Sequence, residues 1–200
     1  MKKLLLIIAC VFSITALSAQ SNKEYYVYGV DFSQSKVYAA AESVEQFSQA
    51  FQSINLLLAT EAGKYDFSLM LGRSSILALD PMMKLLSACD YANLKVYQKE
   101  FPDIDYAACI KNYDLPQEEG IGVVLIAKLL DKPGACAYYN LVQFDIATRE
   151  IISQMDVVGQ ARGFGLRNFW AGSIYQILRS VKAYCTIILY SGCPEFIMIL

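Results

Sequence analysis

GVVLIAKLL, residues 122–130, decides the fold. Nine residues with one charge are too short for a membrane span, and they show no polar alternation, so the run reads as a strand buried on both faces. Asp131-Lys132-Pro133-Gly134 then supplies turn residues, and AYYNLVQFDI at 137–146 returns as a second strand. A second turn over Asp145 to Arg149 leads into EIISQMDVVG, residues 150–159. Connections this short make neighbours antiparallel, so the three runs predict a meander.

Working outward, the helix after the meander carries Leu166, Trp170, Ile174, Ile177, Leu178 and Val181 on one stripe, with Arg167, Gln176, Arg179 and Lys182 outside it. Upstream, EYYVYGVDF (24–32) and SKVYAA (35–40) predict two short strands or one interrupted strand. Ser43-Val44-Glu45-Gln46 matches a capping box, and Phe47, Phe51, Ile54 and Leu58 place one apolar face on a helix ending near Gly63. SSILALD at 74–80 predicts a strand, and Asp80-Pro81 a helix start with Asp80 as its cap and Met82, Leu85, Leu86 and Cys89 inside. Within 91–119 a strand at Leu94 to Tyr97 and a helix from Ile104 to Lys111 are expected, in a section suited to an insertion or surface subdomain. The tail AYCTIILYSGCPEFIMIL, 183–200, predicts a buried last strand over Tyr184 to Leu189, and Pro194 and Glu195 argue against a membrane span. The fold class is α/β (α+β): one domain with a mixed, largely antiparallel sheet and helices packed on it.

The first nineteen residues lie outside that argument. Lys2 and Lys3, an apolar run from Leu4 to Leu17 and the small pair Ser18-Ala19 make a secretory signal peptide cut after Ala19. Ile7-Ile8-Ala9-Cys10 also resembles a lipoprotein signal, but too few apolar residues precede Cys10 for it to be the lipidated site. The exported domain is then 20–182, followed by the tail 183–200, in the periplasm or secreted. Losing Lys2 and Lys3 from the 17 basic residues leaves 15 against 19 acidic ones, with no basic run along the sequence. Nucleic acid and an anionic membrane surface are therefore not expected as partners.

Cys89, Cys109, Cys136, Cys185 and Cys193 follow the cleavage point, an odd number. Pairing of Cys89 with Cys109, or of Cys185 with Cys193, stands beside the reading of each as a small apolar side chain. The chain has no histidine, which removes Ser-His-Asp and Cys-His catalysis and histidine-ligated metals. GxSxG and GxxxxGK[ST] are also absent, and Glu118-Glu119 beside Pro116 and Gly120 reads as a solvated loop. No cofactor or metal is expected.

GQARGFGLRNFW, 159–170, suggests a phosphate cradle. A dinucleotide fingerprint needs a third glycine, a parallel strand before it and an acid about 20 residues beyond. Asn168 stands at the third glycine, the preceding strand belongs to the meander, and Ile187 to Tyr190 are apolar or neutral. What remains is a turn delivering a helix onto a sheet, with Arg162, Gly163, Gly165, Arg167 and Asn168 as a candidate anion site at the helix start.

The order of buried strand, strand ending FDIATREI, strand ending VVGQA, glycine-rich connection and helix LRNFWAGSIYQIL resembles uncharacterised small exported proteins of Bacteroides-type bacteria, from about Tyr25 to Val181. More distantly, residues 120–181 are similar to the envelope domains of curli-secretion lipoproteins, penicillin-binding-protein activators and the amino-terminal domain of TolB. The resemblance implies an α/β or α+β sandwich in the cell envelope that acts through protein contacts, and it carries over no catalytic residue. The expected function is a non-catalytic binding or scaffold domain with an envelope protein partner. The alternatives are an envelope hydrolase using carboxylates or a lysine-activated nucleophile, and a small anion-binding or ligand-binding protein.

Amino-terminal sequencing of the exported protein should begin at Gln20. Recovery with an intact Met1, or with lipid on Cys10, would overturn the cleavage reading.

Overall fold

The computed structural model describes residues 23–191, with side chains as far as Ser180. The elements run β1 (Tyr25–Asp31), β2 (Lys36–Tyr38), α1 (Val44–Thr60), α2 (Phe67–Leu71), β3 (Ile76–Leu77), α3 (Asp80–Ala88), β4 (Lys95–Val96), α4 (Tyr106–Lys111), β5 (Ile121–Asp131), β6 (Cys136–Asp145), β7 (Ile151–Gln160) and α5 (Leu166–Ser191). Mixed α/β architecture holds, with seven strands in one sheet.

The meander β5-β6-β7 is antiparallel as its short turns dictate. The other half of the sheet corrects the expectation of a largely antiparallel arrangement: β1 and β2 both pair with β5 in parallel, and β3 and β4 extend them, also in parallel. Since β6 pairs along β5 from Ile121 to Asp131, β1 and β2 must share the opposite edge, end to end. They are one interrupted strand. Strand β5 thus lies in the middle of the sheet, which is why its residues are almost all buried.

Cross-strand partners share a face, so Val27, Val30, Val123, Leu125, Tyr139 and Leu141 point to one side. Helix α5 covers that side, where the Tyr139 hydroxyl meets Ser173 Oγ at 2.8 Å. Helix α1 lies beside it. Its capping box forms as the sequence predicts, and Phe51 stacks on Phe32 with ring centroids 4.1 Å apart. On the other side Phe144 packs between Tyr28 and Tyr113, its ring lying over Gly122, where a Cβ would collide with it. Residues 91–119 are therefore no separate subdomain: Tyr91, Leu94, Ile110 and Tyr113 belong to the same core.

Two local expectations change. Asp80 does not cap α3; it is the first helical residue, Leu79 takes the cap position without a side-chain bond, and Pro81 fills the first turn. The buried strand expected over Tyr184 to Leu189 is instead helix, because α5 runs on to Ser191. The apolar residues there suit either period, and a helix already propagating adds one bond per residue until glycine or proline intervenes. Residues 1–22, with the signal peptide and Cys10, and residues 192–200, with Cys193, lie outside the described residues.

A buried polar contact joins α1 to β1. In β1 the register shifts between Val27 and Val30, an extra residue relative to β5, with Gly29 at φ +89°. Asn55 of α1, fully buried, fills the gap: its Oδ1 accepts from the Val30 amide at 2.8 Å and its Nδ2 donates to the Val30 carbonyl at 2.9 Å. A Cβ on Gly29 would overlap that Oδ1.

Replacing Asn55 with Ala leaves both Val30 groups buried and unpaired, at about 1–3 kcal/mol each, so Asn55→Ala should lower unfolding free energy by about 2–5 kcal/mol. Urea unfolding checks this against Gln49→Ala on the exposed side of α1, expected within about 0.5 kcal/mol of wild type.

Candidate functional site

The glycine-rich connection is built for close approach of backbones. A Cβ on Gly159 would collide with the Ser173 carbonyl, and one on Gly172 with the carbonyl of Arg162. One on Gly163 would come within 2.7 Å of the Asn168 carbonyl. Glycine at 159 lets β7, and glycine at 172 lets the connection after it, touch α5 main chain to main chain. The connection is then closed by two hydrogen bonds, Arg162 N–H to the Phe169 carbonyl at 3.0 Å and Phe169 N–H to the Gly165 carbonyl at 2.9 Å. Between them stands Phe164, 96 % exposed. Gly165, at φ +80° in open space, serves the turn conformation alone.

Beside this connection runs an open groove of about 580 Å3. Of the five residues predicted for an anion site, Arg162, Gly163, Arg167 and Asn168 line it, together with Phe164; Gly165 does not. The far side comes from elsewhere: Glu61, Lys64 and Tyr65 after α1, and Tyr175, Gln176 and Arg179 from α5. Tyr65 meets Tyr175 edge-on at 6.3 Å, and Tyr175 carries two cations: Lys64 Nζ 5.7 Å and the Arg179 guanidinium 5.6 Å from its ring centre. Arg179 also donates to the Tyr175 hydroxyl at 2.8 Å.

Four cations therefore face one carboxylate, Glu61, which binds Lys64 at 3.1 Å and holds that ammonium's pKa above its usual value. Arg162 donates to Gln160, and Arg167 Nε to Asn168 Oδ1 at 3.0 Å. Among the described residues no carboxylate reaches salt-bridge distance of Arg162, Arg167 or Arg179. Most donors of three guanidiniums are left to solvent or to an anion. Sequence reading missed Lys64 and Arg179 for different reasons. Lys64 is about a hundred residues from the connection, whereas Arg179, outside the apolar stripe, already showed that it faces away from the core.

A second cavity, of about 390 Å3, opens between α3 and α4 and has Asp31 at its base. Asp31 Oδ2 accepts from the Tyr113 hydroxyl at 2.6 Å and Oδ1 from the Ser33 amide at 2.7 Å. Burial, then the nearby Asp31 charge, raises the Tyr113 pKa well above its usual value, so the phenol stays a neutral donor. Cys89 and Cys109, weighed as a disulfide pair, are free thiols lining this cavity, and Cys136 is free as well. Burial, with Asp31 adding to it, raises the Cys89 thiol and pushes Cys109 up to about 11. Thiols held protonated are poor nucleophiles and poor metal ligands. On the rim, Asp90 accepts from the Ala92 amide and Asp105 caps α4 through the Ala108 amide, each at 2.9 Å. Among the described residues no three His, Cys, Asp or Glu side chains are grouped to hold a metal ion. Glu118 and Glu119 are exposed.

Peptide-mapped alkylation with iodoacetamide at pH 8 should label Cys109 more slowly than a free thiol of pKa about 8.5, by about a hundredfold for a difference of about 2.5 pK units. The rate should climb toward pH 11; labelling at the free-thiol rate at pH 8 would contradict the burial argument.

No protein-family model, no curated protein and no solved structure matches the chain.

Proposed function

We propose that this chain is an exported cell-envelope binding domain, without catalytic activity, that takes hold of an anionic group of its partner in the groove between α1 and α5. One observation carries the reading: Arg162, Arg167 and Arg179 converge on one groove without a carboxylate partner among the described residues. Unpaired guanidiniums gathered by a fold present planar, multiply donating surfaces suited to carboxylate or phosphate. The aromatic floor of Tyr65 and Tyr175 adds contact area, and the tight β7–α5 junction fixes the positions of Arg162 and Arg167 before a ligand arrives.

Export rests on the Lys2-Lys3 start, the apolar run and Ser18-Ala19. Among the described residues no helix is long and apolar enough to cross a membrane. The envelope setting draws on the same signal and on the resemblance of strand order in 120–181 to envelope domains. The second cavity supports a role through binding: it holds its thiols protonated, and Asp31, Asp90 and Asp105 are taken up in turn, cap and tyrosine hydrogen bonds.

Titration with inorganic phosphate, followed by the Arg Nε–H resonances, should give saturable shifts at Arg162, Arg167 and Arg179. Each arginine contact to a charged group contributes about 1.5–3 kcal/mol, so each Arg→Gln substitution should weaken binding about tenfold or more. Phosphate shifts that fail to saturate, or that are unchanged in the double variant Arg162→Gln/Arg167→Gln, would sink the reading.

A further inference from the structure

We infer that Phe164 and the cations beside it form a docking element for an anionic phospholipid surface. The inference rests on the groove reading above and adds to it the identity of the anion, a lipid phosphate.

Phe164 is 96 % exposed, yet its loop is closed on both sides by the bonds of Arg162 N–H and Phe169 N–H, and Gly163 is wedged against Asn168. A whole aromatic ring is therefore held out in water beside the unpaired guanidiniums of the groove, apolar area that a receiving surface would bury. What surrounds the ring selects the receiver. Protein-binding anchors sit inside a patch of neutral contacts that exclude water. Here the chain neighbours of Phe164 are two glycines, with Arg162, Leu166 and Arg167 beyond them, and the neutral rings across the groove, Tyr65 and Tyr175, each lie under a cation, Lys64 or Arg179.

A lone protruding ring with guanidiniums at its base matches the layering of a bilayer surface: the ring enters the interface while the arginines stay at the level of the phosphates. Lys64 and Arg179, lining the same groove, extend the positive surface. The exported residues carry more acid than base overall, so this positive patch also sets the orientation in which the molecule approaches a negative surface. The absence of a basic run in the sequence does not bear on this, because the cations at 64, 162, 167 and 179 are brought together by the fold.

The experiment is co-sedimentation of the exported chain with phosphatidylcholine vesicles, with and without phosphatidylglycerol, alongside the inorganic phosphate titration. Binding should require phosphatidylglycerol and fall as salt rises. Phe164→Ala, at a side chain 96 % exposed, should weaken vesicle partitioning about tenfold or more. Arg162→Gln/Arg167→Gln should lose both vesicle and phosphate binding. Phe164→Trp should show a blue-shifted fluorescence change on anionic vesicles, against a constant background from Trp170, the single native tryptophan, which is fully buried.

Three results would overturn the lipid assignment: phosphate binding intact with no vesicle binding, Phe164→Ala binding vesicles as well as wild type, or equal binding to phosphatidylcholine alone. Capture of a soluble acidic protein through the same arginines, without vesicle binding, would assign the anion to that protein instead. If phosphate binding fails as well, the groove reading falls with it.

Discussion

The two layers of this molecule are held in phase by one carboxamide. Asn55 answers both main-chain groups of Val30 at the point where β1 gains a residue relative to β5. Without that extra residue, strict alternation from Val27 would send Asp31 toward the helices and Phe32 away from them. With it, Val30 and Phe32 face α1, where Phe32 stacks on Phe51, and Asp31 turns to the other side, where Tyr113 receives it. The bulge, Gly29, Asn55 and the Asp31–Tyr113 pair are therefore one constraint. A carboxylate toward the helix layer would stand among Phe47, Phe51 and Ile54, with the cost of burying an unpaired charge.

The parts of the fold legible in the sequence are those whose cause is local. The β5-β6-β7 meander follows from three runs and two short turns, and the capping box at Ser43 and Gln46 forms because its partners are three residues apart. The parallel half was not legible, since nothing in YYVYGVD names Ile121 to Ile126 as its neighbour nearly a hundred residues on. A turn dictates antiparallel pairing only for the strands it joins. The tail failed for another reason: YCTIIL satisfies a strand by composition and a helix by continuation, and α5 had already paid the cost of nucleation at Leu166.

The candidate site shows the same division in a sharper form. Its glycines signalled a cradle, but at 159, 163 and 172 each gives way to a main-chain carbonyl of the opposite partner, so they record packing between β7 and α5. A larger positive surface was not expected because charge along the sequence is dispersed and acidic overall, whereas a charged surface depends on positions in space. Arg162 and Arg167 were legible as neighbours; Lys64 and Arg179 join them only because α1 and α5 lie side by side on the sheet.

Packing and recognition are in this way linked at one junction. Because Gly159 and Gly172 bring the start of α5 against the end of β7 and its connection, the four residues between Ala161 and Leu166 have little slack, and Arg162 and Phe164 are the two side chains they hold outward. A looser connection would let the ring fold back onto the apolar edge of α5, lowering the exposed area and removing the anchor. The same main-chain contact that completes the core therefore sets the direction in which Arg162 and Phe164 point, and a surface fixed before binding loses less conformational entropy when it engages its partner.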